Sequence, residues 1–152
     1  METFARILST AFNPFLMPFY GFVLLFTFTY LNIMPIQYIA FVLSIVFTFT
    51  LLTPSLFISL YKWMNKWSMK EVSERKRRFI PYTLTLMSYA TCLLTMYKMH
   101  FPRYFAGSIM AALISMAICM LINLRWRISI HMVGWGLLIG GLLSYSLLFY
   151  FN

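Results

Sequence analysis

Two short segments carry residues whose types and spacing suit phosphate chemistry. KEVSERKRRFIP, residues 70–81, sets Arg75, Lys76, Arg77 and Arg78 directly before an apolar run. An arginine guanidinium is a planar fork of donors matched to phosphate oxygens. NLRWRISIHMVGWGLLIGG, residues 123–141, brings Arg125, Arg127, Ser129 and His131 to the entrance of another apolar run. If a helix begins there, its free N–H groups and positive dipole end hold a phosphate. Gly134 and Gly136 would let a ligand or a second helix come close. Each segment also has a plainer account. The arginine run can be a topological anchor, with Glu71 and Glu74 as ion-pair partners. The histidine can be an interfacial residue bonded to a loop, and the glycines notches for helix packing.

The elements that must position these residues are apolar. Of 152 residues, 62% are hydrophobic and 10% charged. A soluble domain carries about 25% charged residues, and a chain this short cannot hide such an apolar excess in its own core. Lipid is the natural solvent for the remainder, and a 20% aromatic content suits a bilayer interface. The reading is all-α: a polytopic helical bundle forming one transmembrane domain. Five runs approach the roughly 20 residues a spanning helix needs: 15–31, 36–61 with Pro54 as a kink, 82–99, 104–124 and 130–151. None shows the two-residue alternation of a barrel strand. Phe4, Ile7, Leu8 and Phe12 fall near one helical face, which predicts an interfacial helix ahead of the first span. Arg6 alone precedes the first run, without a small-residue cleavage site, so this stretch is expected to remain rather than act as a removed signal.

Five crossings put the N-terminus, the 62–81 loop and the 124–129 link on one face. That face collects ten of the twelve cations, leaving Lys98 and Arg103 on the other. The bias places the basic face in the cytoplasm. It also brings the arginine run and the Ser129–His131 segment to one face. Cations confined to loops argue against nucleic acid as a partner and for anionic phospholipid or a lipid phosphate. Cys92 and Cys119 fall inside apolar runs and read as small buried hydrophobes, not a disulfide or metal pair. No metal or other cofactor is expected.

The two segments resemble motifs of the type 2 phosphatidic acid phosphatase superfamily, membrane enzymes that hydrolyse lipid phosphomonoesters. The family pattern is Lys, six residues, Arg-Pro; then Pro-Ser-Gly-His at a helix start; then Ser-Arg, five residues, His, with Asp four residues on. Lys70 and Arg77 have the first spacing, with Arg78 in place of the proline. Ser129-Ile130-His131 is similar to the Ser-Gly-His core of the second. A divergent bacterial branch of the superfamily is similar over most of the chain, including the opening FNPFLMPFYGFVLLF. The resemblance implies a bacterial inner-membrane location. It implies phosphate binding by Lys70, Arg77, Arg78, Arg125 and Arg127, with His131 as general acid beside Ser129. The third motif, which supplies the nucleophilic histidine, has no counterpart in this register. In the alternative register Arg125 and His131 match the third motif, Trp135 stands at its Asp position and the second motif is missing.

Three functions compete on this reading. One is a lipid-phosphate phosphatase, a phosphoric monoester hydrolase if active. Another is a non-catalytic relative that binds anionic lipid or docks as a small subunit on a larger membrane complex. A transporter ranks last, because the spans hold almost no charge at mid-membrane depth. The phosphatase mechanism needs two histidines in opposite roles. The other histidine, His100, is expected on the opposite face.

Overall fold

The computed structural model describes residues 16–66, 79–126 and 128–149. Helix makes up 89% of them, with no strand among the described residues. In chain order the elements are α1 (Met17–Phe28), a 3₁₀ turn (Tyr30–Ile33), α2 (Ile36–Phe47), a π-turn (Thr48–Leu52), α3 (Thr53–Asn65), α4 (Phe79–Lys98), α5 (Arg103–Asn123) and α6 (Ile130–Phe149). Four helical stretches are long and apolar enough to cross a membrane: Ile36–Asn65, Phe79–Lys98, Arg103–Asn123 and Ile130–Phe149. These are what an integral membrane protein requires. The expected interfacial helix lies outside the described residues.

The first expected span is shorter than its apolar run. Described helix covers 12 residues, Met17–Phe28, about 18 Å of rise. Thr29 ends it. Its backbone is extended, its hydroxyl donates to the Leu25 carbonyl at 2.5 Å, and its Oγ1 accepts from the Leu31 N–H at 3.3 Å. The side chain thus does on both sides what another helical turn would have done. Hydropathy sees only that residues 29–31 are apolar or neutral.

The helices fall into two compact units, residues 1–47 with 129–152 and residues 48–128. In the first, α1 packs on both α2 and α6. Gly21 on α1 faces Leu138 on α6 closely enough that an added Cβ would lie 3.4 Å from Leu138 Cδ1. Eight residues further along α1 and its end, Thr29 Oγ1 accepts from the Tyr145 hydroxyl at 3.4 Å. The two helices therefore run parallel. Tyr30 closes this end, its ring 6.2 Å from Tyr145 and 5.9 Å from Phe149. Phe19, near the start of α1, meets Phe47 at the end of α2 at 5.3 Å, so α2 runs antiparallel to α1.

In the second unit α4 and α5 form an antiparallel hairpin. Besides Ser88 and Ala106, the buried positions are Tyr82, Thr85, Tyr89, Cys92 and Met96 on α4 and Phe105, Ile109, Ala112, Met116, Cys119 and Asn123 on α5. Both sets alternate steps of three and four, the spacing of a narrow seam between helices crossing at a small angle. Ser88, Cys92 and Ala112 are small residues within it, of the kind that lipid-embedded helix contacts favour. Cys92 and Cys119 are buried free thiols.

Pro54 distorts its helix differently from a simple kink. A π-helix bonds each N–H to the carbonyl five residues back, and for residue 54 that carbonyl belongs to Phe49. Proline has no N–H to give. The Ser88 hydroxyl of α4 donates to the Phe49 carbonyl instead, and the Thr53 hydroxyl donates to the Thr48 carbonyl at 2.9 Å. Thr50, Pro54 and Ser88 are all buried, where an unmatched carbonyl would be costly. The π-turn, the proline and the serine are one device.

Candidate functional site

Helix α6 begins at Ile130, as the second segment requires. Ser129 sits in the N-cap position, its carbonyl accepting from the Val133 N–H at 3.4 Å. The first turn of any helix leaves its leading N–H groups without intrahelical acceptors. Both Ser129 and His131 are exposed there. Because α6 runs parallel to α1, this end of the unit is the one from which α1 also starts.

The chain's three carboxylate side chains, Glu2, Glu71 and Glu74, lie outside the described residues. Among the described residues no cluster of His, Cys, Asp and Glu could hold a metal ion. Gly134 is buried, whereas Gly136, Gly140 and Gly141 each face open space where a Cβ would stand.

Of the expected phosphate ligands, Lys70, Arg77, Arg78 and Arg127 lie outside the described residues. Arg125 is described, exposed in the turn that closes α5, its N–H donating to the Ile122 carbonyl at 2.9 Å. Arg125 belongs to the second unit and Ser129 and His131 to the first. Within the second unit the hairpin sets Arg125 at the end where α4 begins.

His100 has a different explanation, one that hydropathy and motif spacing do not supply. It adopts a left-handed conformation with φ 55°. The Phe101 N–H donates to the Met96 carbonyl at 3.1 Å and the His100 N–H to the Tyr97 carbonyl at 3.2 Å. These two bonds define a Schellman motif that stops α4, with His100 in the position usually held by glycine. Pro102 follows, as it often does after such a stop. The turn lies at the opposite end of the hairpin from Phe79 and Arg125, about 30 Å away. The sequence signal for this stop is Lys98-Met99-His100-Phe101-Pro102, in which a proline follows two residues after the left-handed position.

No family model matches the chain, and neither a curated protein nor a solved structure is significantly similar to it.

Proposed function

We propose that this protein captures the phosphate head group of a lipid phosphomonoester at the start of α6, in the manner of a lipid-phosphate phosphatase but without completing its chemistry. The observation that carries this reading is the exposure of Ser129 and His131 beside the open first turn of a membrane-spanning helix. Three kinds of donor meet there: backbone N–H groups, a hydroxyl and an imidazole. The helix dipole favours an anion in the same place. Arg125 and Arg127 precede it in sequence, and the Lys70 to Arg78 segment adds further cations to the face proposed as cytoplasmic. The resemblance to type 2 phosphatidic acid phosphatases, and with it the bacterial inner membrane, belongs to this proposal.

Hydrolysis by the superfamily's route needs a second histidine as nucleophile. On the resemblance only His131 falls in a matching motif, and the His100 backbone forms the turn after α4. The reading offered is capture, with turnover as the alternative that the same test decides. The test is titration of the detergent-solubilised full chain with short-chain phosphatidic acid, together with an assay for released phosphate. Hydrogen bonds to a charged group contribute about 1.5–3 kcal/mol. His131→Ala should accordingly weaken binding by about tenfold or more, and Ser129→Ala by less. Binding unchanged in both variants would reject the site. Phosphate release that disappears in His131→Ala would keep the site and replace capture with catalysis.

A further inference from the structure

The end of α3 carries a second arrangement suited to lipid, separate from α6. Ser59, Lys62 and Trp63 follow the i, i+3, i+4 spacing of one helical face, and Lys66 caps the helix just beyond them. With Met64 they line an open groove of about 700 Å³. Trp63 is 78% exposed and Met64 71%. Leading up to them along α3, Leu56, Phe57 and Leu60 are also exposed. An uninterrupted apolar track thus ends in two cations, an indole and a hydroxyl.

Depth makes this arrangement meaningful. The apolar stretch that includes α3 is 30 residues long, Ile36–Asn65, against the roughly 20 that a span needs. The hydrocarbon core is about 30 Å thick. The last turns therefore emerge into the head-group layer, where tryptophan and snorkelling lysine belong. A helix C-terminus ordinarily repels anions. Here Lys66 adopts a left-handed conformation with φ 52°, and its N–H turns back onto the carbonyls of Lys62 and Trp63. That turn covers two of the exposed carbonyls, and Lys66 lines the same groove as Lys62 and Ser59.

We infer that the Ser59/Lys62/Trp63/Lys66 groove is a binding site for one anionic phospholipid, its phosphodiester held by the two lysines and its acyl chain lying along Leu56 and Leu60. Among the described residues the groove is cationic and contains no acid, which fits an anionic head group and not a zwitterionic one. The apolar track distinguishes a lipid from a soluble phosphate.

The test uses the full chain in detergent, titrated with phosphatidylglycerol, with phosphatidylcholine of the same acyl chains, and with inorganic phosphate. Wild-type protein should prefer phosphatidylglycerol. Lys62→Gln with Lys66→Gln should lower its affinity about tenfold, to the phosphatidylcholine level. Lys98→Gln with Arg103→Gln, the same charge change at the other end of the α4–α5 hairpin, should leave it unchanged. His131→Ala should leave it unchanged too, which separates this site from the one at α6. A preference that survives in the Lys62/Lys66 variant would overturn the inference. So would its loss in the Lys98/Arg103 or His131 variant, or equal competition by inorganic phosphate.

Discussion

Two histidines that look alike in sequence have unlike roles. His131 stands exposed at a helix start, where donors point outward. His100 holds the left-handed corner of a Schellman stop. A non-glycine residue in that conformation costs about 1 kcal/mol, so His100→Gly should stabilise the protein by about that amount, read as a higher midpoint in thermal unfolding in detergent. His100→Val should lower it, because a β-branched side chain fits the left-handed region worst. Lys66→Gly should also stabilise, while weakening phosphatidylglycerol binding. Residue type and spacing made Ser129 and His131 visible as a pair at a helix start. They did not reveal what His100 does, because a helix stop is written in backbone angles and two hydrogen bonds rather than in charge or hydropathy.

Apolar run length located the membrane-length helices to within a few residues. Phe79–Lys98 lies close to the expected 82–99, and Arg103–Asn123 to 104–124. The described helix of the first run is shorter than the run, since Thr29 satisfies the backbone on both sides and ends α1 where composition would continue it. Pro54 was visible as a distortion but its partner was not, because Ser88 lies 39 residues away from Phe49. Interhelical hydrogen bonds in a membrane contribute about 0.6 kcal/mol on average and up to about 1.7. Ser88→Ala should therefore destabilise by about 1 kcal/mol, measured by denaturant unfolding in mixed micelles. Pro54→Ala restores an N–H at residue 54, so Ser88→Ala should cost measurably less in that background; equal costs in both would contradict the π-turn account. On α1, Gly21→Ala should be tolerated beside Leu138. Gly21→Leu should destabilise by about 1–3 kcal/mol, as overpacking does.

At the scale of the molecule, the chain is a helical membrane protein whose described cations, Lys62, Lys66, Lys98, Arg103 and Arg125, lie at or next to helix ends. An odd number of crossings follows if α1 spans together with the four longer helices, and the parallel pairing of α1 with α6 agrees with that count. Composition and periodicity carry this much. The partner chemistry is carried by a few donors at one helix start, and it is tested by selectivity more directly than by affinity. A phosphomonoester offers one more ionisable oxygen than a diester, and on the proposed reading the first turn of α6, with Ser129 and His131, would receive it. The decisive measurement compares the affinity of the full chain for phosphatidic acid with that for its phosphate methyl ester, in wild type and in His131→Ala. The account predicts that wild type prefers the monoester by about tenfold and that the preference is lost in His131→Ala. An undiminished preference in the variant, or none in the wild type, would contradict it.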